Sequence, residues 1–151
     1  MADMLEMAAT FFANRHWPCA MIAKPRAVEV VHDFSVERFR SYAQAENGGR
    51  IFVYDSVCPA QAPAERRDAV MRYLTLVNFG QLVGAFEMDL ADGEVRFRTS
   101  IDLEGQPLTD ALLSGVVYPN HQAVTDYLPG LLAVIRGEQE PDAAFAEARE
   151  P

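Results

Sequence analysis

The side chains best suited to metal binding or nucleophilic chemistry are few in this chain of 151 residues. Its three histidines, His16, His32 and His121, have neither HExxH nor His-x-x-x-His spacing, which predicts surface or turn positions and not a metal site. The two cysteines, Cys19 and Cys58, have no CxxC spacing, and no serine lies in a GxSxG elbow. The sequence therefore predicts no metal, no cofactor and no catalytic residue.

Two weaker chemical interpretations stay open. Cys58, Asp126 and Tyr127 are the groups on which an enzyme of unrecognised type could draw, although no cation stands next to Cys58 to activate its thiol. Cys19 and Cys58 could instead form a redox-responsive pair, which requires a Cα separation below about 7 Å. In a reducing cytoplasm we expect both as free thiols.

Two segments near the middle of the chain alternate between apolar and charged residues and predict a β-hairpin. Residues 85–90 carry acidic side chains at alternate positions, and residues 95–101 carry basic ones. A two-residue turn at 92–93 (Asp-Gly) sets the register. It pairs Glu87 with Arg98, Asp89 with Arg96, Met88 with Phe97 and Leu90 with Val95. One face of the hairpin would be apolar and the other would hold opposite charges.

This charged face and the unusual stretch 126–130 (Asp-Tyr-Leu-Pro-Gly) are the candidate contacts with a partner. The candidate residues are Glu87, Asp89, Arg96, Arg98, Asp126 and Tyr127. A solvated ion-pair face is the alternative explanation of the hairpin charges, and a kinked core helix is the alternative for 126–130.

Hydrophobic periodicity predicts the remaining elements. Apolar residues at three- and four-residue steps predict helices over 2–13, 64–79 and from 108 onward, the last one broken or kinked at Pro119 and Pro129. On α-helical spacing, Val70, Tyr73, Leu74 and Val77 form the buried face of the middle helix.

Three further strands are predicted over 26–31, 37–45 and 50–57, with a turn at 32–33. Asn47-Gly48 as a two-residue hairpin turn places Ala43 opposite Phe52, Ser41 opposite Tyr54 and Tyr42 opposite Val53. A helix over 37–45, capped by Ser35, is the alternative. The element order is then α-βββ-α-ββ-α, typical of an α+β sandwich with helices on an antiparallel sheet.

Composition indicates one acidic globular domain. The chain has 13 basic and 22 acidic residues, a net charge of −9, which excludes the basic field that nucleic acids and anionic membranes require and favours a basic partner. No apolar run approaches the ~20 residues that span a bilayer, and the first residues lack the charge of a signal peptide, so we expect a cytoplasmic protein. Residues 1–137 are expected to form the domain and 138–151 an acidic tail.

Several blocks of sequence together resemble the YbjN-domain family of bacterial sensory transduction regulators, most closely the branch seen in cyanobacteria. The blocks are 42–45 (YAQA), 52–59 (FVYDSVCP), 78–80 (NFG), 84–90 (GAFEMDL), 92–102 (DGEVRFRTSID) and 126–135 (DYLPGLLAVI) with Gly137. The resemblance implies a fold similar to that of type III secretion chaperones, a twisted antiparallel sheet with helices on it. It favours the strand over the helix for 37–45 and implies no enzymatic mechanism and no cofactor.

We therefore expect an α+β fold with about five strands, and a non-enzymatic, chaperone-like regulatory module that binds a protein or peptide partner. Since small acidic chaperones of that fold act as homodimers, the analogy also predicts a homodimer. An unrecognised enzyme and a thiol-based redox regulator are the alternatives.

Overall fold

A computed structural model describes residues 3–33 and 37–150, which form six strands and four helices. In chain order the elements are α1 (Met4–Asn14), β1 (Cys19–Ala23), β2 (Arg26–Asp33), β3 (Arg38–Glu46), β4 (Ile51–Val57), a 3₁₀ turn (Ala64–Arg66), α2 (Arg67–Phe79), β5 (Ala85–Met88), β6 (Val95–Asp102), α3 (Asp110–Ile135) and α4 (Pro141–Ala148).

All six strands join one antiparallel sheet in the order β1-β2-β3-β4-β6-β5. Helices α1, α2 and α3 cover one face of it, and α4 packs on α2 and α3. The predicted α+β fold is confirmed, with six strands where about five were expected. The additional strand is β1, whose Ala- and Met-containing sequence has no alternation and lies between two prolines, so it gave no strand signal.

The predicted register of the β3–β4 hairpin is wrong by two residues. Glu46 pairs with Ile51, so four residues and not two form the turn, and Ala43 lies opposite Tyr54. Asn47, Gly48 and Gly49 all have positive φ (52°, 67° and 86°), which continues the turn past the predicted Asn-Gly pair. Because the shift is even, each side chain keeps its predicted face and only its partner changes.

The β5–β6 hairpin is displaced in the same way. Met88 pairs with Val95 and Glu87 with Arg96, so 89–94 form a six-residue loop and the predicted opposition of Asp89 to Arg96 is wrong. The loop is pressed against Ala62, whose N–H donates to the Gly93 carbonyl at 2.8 Å. A Cβ on Gly93 would lie 2.0 Å from the Ala62 carbonyl oxygen. The tertiary contact between Gly93 and Ala62 therefore determines the conformation of this loop.

The predicted turn at His32-Asp33 is also wrong, because β2 continues through both residues and pairs with the start of β3. The alternative helix over 37–45 is excluded by β3. Ser35, its predicted cap, and Ala2, the predicted start of the first helix, lie outside the described residues.

The core consists of two clusters that share α3. The first packs α1 and the N-terminal half of α3 on β2, β3 and β4. The second packs α2, α4 and the C-terminal half of α3 on β5 and β6. The predicted apolar face of α2 is confirmed, since its four residues, Val70, Tyr73, Leu74 and Val77, are buried in the second cluster. From the predicted tail, α4 contributes the buried Pro141 and Ala144.

Helix α3 runs unbroken through Pro119 and Pro129, so a break at either proline, one of the two predicted outcomes, is wrong. A proline in a helix interior costs about 3 kcal/mol, and burial of apolar residues on both sides of each proline outweighs that cost. Close to Pro129, the Tyr73 hydroxyl donates to the Tyr127 carbonyl at 2.9 Å, and a Cβ on Gly130 would lie 2.4 Å from that hydroxyl.

Where the two clusters meet, Asn120 of α3 is fully buried and joins the helix to the sheet. Its amide nitrogen donates to the carbonyl oxygens of Tyr54 and Phe97, both at 3.0 Å, and to the Thr99 hydroxyl at 3.2 Å. Its amide oxygen accepts from the Ser56 hydroxyl. Strands β4 and β6 are thus both bonded to one side chain.

Replacing Asn120→Ala is expected to lower the free energy of unfolding by about 2–4 kcal/mol, because buried polar groups of β4 and β6 lose their partner. Gln122→Ala, at an exposed position of the same helix, is the control and should change it by less than about 0.5 kcal/mol. Urea denaturation measures both. Equal effects of the two substitutions would contradict the role given to Asn120.

Candidate functional site

The sheet face opposite the helices, here called the open face, carries most of the predicted charged residues. In register across it lie Tyr42 of β3, Asp55 of β4 and Arg98 of β6. Arg98 donates to both carboxylate oxygens of Asp55, at 2.8 and 3.1 Å, and Asp55 is only 4% exposed. This bidentate bond raises the pKa of Arg98.

Glu87 joins this pair to Arg96. The Arg96 guanidinium lies 2.6 Å from the Glu87 carboxylate, and Arg98 lies 3.5 Å from it. The structure therefore brings together three of the six predicted residues around Asp55, which the sequence analysis missed. An acidic residue in the middle of β4 was the available signal, but its partner Arg98 lies on β6, whose pairing with β4 was not predicted.

The other three predicted residues lie elsewhere. Asp89 is in the β5–β6 loop, where its carboxylate accepts the Ala91 N–H at 2.8 Å. Asp126 and Tyr127 are on α3, on the opposite side of the sheet from the hairpin charges. Asp126 accepts a hydrogen bond from Gln122 of the same helix, and Tyr127 is half-buried against the second cluster.

A cavity of about 490 Å³ opens on this face beside the ion pairs. Its walls combine apolar, aromatic and acidic groups: Ile22, Pro25, Glu29, Tyr42, Gln44, Asp55, Val57, Glu94 and Arg96. Partial burial, followed by the neighbouring Glu29, raises the pKa of the Tyr42 hydroxyl, so this ring stays neutral. Volume and lining are of the kind that holds a side chain or a small molecule.

The charges around the cavity leave carboxylate in excess. Each of the four arginines that β3 and β6 place on the open face already has a carboxylate partner: Arg38 with Asp33, Arg40 with Glu29, Arg96 with Glu87 and Arg98 with Asp55. Glu94 has no ion pair within the described ranges. A positively charged group of a ligand in this cavity would therefore form an ion pair with the Glu94 carboxylate.

Two of the three histidines form a partly buried pair that the sequence analysis placed at the surface or in turns. The rings of His32 and His121 have centroids 4.0 Å apart, and the Tyr54 hydroxyl lies 2.7 Å from His121 Nε2. Trp17 and Phe39 pack against the two rings. Burial lowers the pKa of His32 to about 4, and burial together with His32 lowers that of His121 to about 3. Both are neutral imidazoles at pH 7.

The two cysteines are too far apart for an intramolecular disulfide. Cys19 pairs with Val30, Val30 with Ser41, and Ser41 with Ser56, so three strand spacings, roughly 14 Å, separate Cys19 from Ser56. Cys58 lies beyond the end of β4. Burial raises the pKa of Cys58 to about 11 and also raises that of Cys19, which disfavours the reactive thiolate.

Over residues 3–33 and 37–150, no group of three or more His, Cys, Asp or Glu side chains could hold a metal ion. None of the helices in those ranges combines the length and the apolarity needed to traverse a bilayer.

Comparison with known proteins gives one family. Residues 4–132 match the model of YbjN, described as a putative bacterial sensory transduction regulator. A search of curated proteins finds no match to the chain.

The partly buried histidine pair predicts that stability falls between about pH 6.5 and pH 4. Since the folded-state pKa values lie below the usual value of about 6.5, the unfolded chain takes up protons first as the pH falls. Each histidine then contributes a slope approaching about 1.4 kcal/mol per pH unit. The free energy of unfolding, measured with urea at several pH values above 5, should show this loss.

His121→Gln, which keeps a hydrogen-bonding group but does not titrate, should reduce that slope by about half. His16→Asn is the control, since His16 is exposed and its positive φ of 59° suits asparagine. A slope that His121→Gln leaves unchanged would refute the assignment.

Proposed function

Because the chain belongs to the YbjN family, we propose that it is a non-enzymatic regulatory module that binds a basic segment of a partner protein on the open face of its sheet. The observation that carries this proposal is the cavity beside Tyr42, whose rim has a carboxylate, Glu94, without an ion-pair partner among the described residues. The proposed partner is a protein or peptide, in accord with the expectation from the sequence.

The chemistry of the cavity favours a lysine or arginine side chain. Ile22 and Val57 would contact the aliphatic stem, and the charged head would reach Glu94 and the face of Tyr42. The net charge of −9 would attract such a segment from a distance and make binding weaker at higher salt. Specificity would come from the fixed Asp55–Arg98 pair next to the cavity, which holds its wall in place.

Non-enzymatic action is supported by the state of the groups that an enzyme would use. Cys58 is held as a thiol by burial, and the guanidinium groups of the open face are engaged in ion pairs. The large separation of Cys19 and Cys58 also disfavours the redox alternative. We further propose that the protein acts in the cytoplasm, where such thiols stay reduced.

The test is a pull-down from host lysate with three tagged baits at low and moderate salt. The wild-type bait should retain a stoichiometric protein at low salt and lose most of it at moderate salt. The Glu94→Lys bait should retain at least about tenfold less, because it places a cation where the partner's cation would bind.

Glu138→Lys makes the same change of charge at an exposed position outside the open face, and this bait should behave like the wild type. Retention of the same protein by the Glu94→Lys bait, or loss by both variants, would count against the open face as the binding site. No retained protein at either salt would count against the proposed function itself.

A further inference from the structure

The tip of the β3–β4 hairpin exposes an Asn-Gly pair that has no part in the proposed partner site. Asn47 and Gly48 are exposed, and a Cβ built on Gly48 or on Gly49 would meet nothing within 4 Å. Ile51, the residue that ends the turn, pairs with the last residue of β6. Glu94 directly precedes the first residue of β6, so the turn and Glu94 lie at opposite ends of that strand.

Two neighbouring groups of this turn are free to react with each other. Among residues 3–33 and 37–150, none bonds to the side-chain amide of Asn47 or to the N–H of Gly48. The bonds that close the turn are long: the Gly49 N–H donates to the Glu46 carbonyl at 3.2 Å, and the Arg50 N–H donates to the Asn47 carbonyl at 3.3 Å. Since long bonds on an exposed turn open readily, the Asn47 side chain can approach the Gly48 nitrogen.

The other three asparagines of the chain do not have this freedom. Asn14 ends α1, and the N–H that follows it donates to a carbonyl of that helix at 3.1 Å. The amide nitrogen of Asn78 donates to the Phe86 carbonyl at 2.9 Å, and its amide oxygen accepts the Phe86 N–H at 2.8 Å. Asn120 is fully buried and is bonded to β4 and β6. Of the four, Asn47 is therefore the one whose amide is exposed next to a free N–H.

We propose that Asn47 is a site of spontaneous deamidation. The Gly48 nitrogen loses its proton to water or hydroxide and attacks the carbonyl carbon of the Asn47 side chain. A bond forms between these two atoms, and the bond from that carbon to the side-chain nitrogen breaks. The side-chain nitrogen takes up a proton and leaves as ammonia, so that a cyclic imide remains. Glycine suits this step because the absence of Cβ lets the backbone rotate into the geometry of attack.

Water then opens the imide at either of its two carbonyl carbons. Cleavage of the new bond, between the Gly48 nitrogen and the side-chain carbon, gives aspartate on an unchanged main chain. Cleavage at the main-chain carbon gives isoaspartate, in which the main chain runs through Cβ and the turn between β3 and β4 gains one atom. In both products a water oxygen has replaced the amide nitrogen of Asn47, which adds one negative charge to the net −9 of the chain.

The test is incubation of the purified full chain at neutral and at mildly alkaline pH, followed by peptide mapping with mass spectrometry. The peptide that contains Asn47 should gain the mass difference between an OH and an NH₂ group. Its rate should rise about tenfold per pH unit, as the deprotonated fraction of the Gly48 nitrogen does. The peptides that contain Asn14, Asn78 and Asn120 should stay unchanged. Endoproteinase Asp-N, which cleaves before aspartate but not before isoaspartate, distinguishes the two products.

Gly48→Ala and Gly49→Ala form a matched pair of variants, since each adds one methyl group at a residue with positive φ and open space around it. Gly48→Ala should slow the reaction at least about tenfold, because its Cβ hinders the rotation that brings the nitrogen to Asn47. Gly49→Ala keeps the Asn-Gly pair and should react like the wild type. Urea denaturation should confirm that both variants fold.

The absence of a mass gain in the peptide that contains Asn47 would overturn the proposal, as would an equal gain in the peptides of the other asparagines. Equal rates for Gly48→Ala and the wild type would also overturn it, because the attacking nitrogen would then not be the one assigned. None of these outcomes involves a partner protein, so the proposal stands or falls separately from the proposed function.

Discussion

Asn120 provides the polar attachment between the longest helix and the two strands beneath it. Burial of a side-chain amide is costly without partners, and here three acceptors and one donor satisfy it. The direction of these bonds fixes both the height and the rotation of α3 above β4 and β6. Both apolar clusters include residues of α3, so their packing depends on that placement. The same packing of α3 on the sheet tolerates Pro119 and Pro129 within the helix.

The open face is organised by a second polar constraint. Asp55 is almost fully buried although no helix covers this side of the sheet, because the arginine side chains of β6 and the ring of Tyr42 surround it. The bidentate bond to Arg98 offsets the cost of removing the carboxylate from water. The result is a rigid patch of charges beside a cavity, on the face that helices leave free.

Much of the fold follows from local patterns in the sequence. The apolar face of α2 and the alternation in β5 and β6 were predicted, and Glu87, Arg96 and Arg98 were placed on a common face. Turn lengths were not predicted correctly. In the β5–β6 loop, for example, the turn depends on the contact of Gly93 with Ala62, which are 31 residues apart in the chain. Asp55 was missed for that kind of reason: its partner Arg98 is 43 residues away in sequence, on a strand that does not follow β4 in the chain.

The histidines and prolines likewise depend on contacts between residues that are distant in sequence, which local patterns do not reveal. His32 and His121 are 89 residues apart in sequence, and only the packing of α3 on β2 creates their shared apolar environment. Propensity correctly assigns a cost to Pro119 and Pro129, but the burial that outweighs it is spread over many elements. Asp126 and Tyr127 were predicted to contact a partner because the stretch 126–130 is unusual in sequence. The contacts of Tyr73 with Tyr127 and Gly130 give that stretch a role in packing.

The two edges of the sheet differ in a way that limits how copies could aggregate. At β5 the Asn78 amide occupies the backbone groups of Phe86, whereas among the described residues no side chain bonds to the backbone of β1. A fibril built by edge-to-edge addition needs two free edges on every subunit, one to accept the previous chain and one to present to the next. With a single free edge, such growth ends after one pairing event. The bonds from Asn78 to Phe86 thus disfavour open-ended polymerisation of the folded chain through its sheet edges.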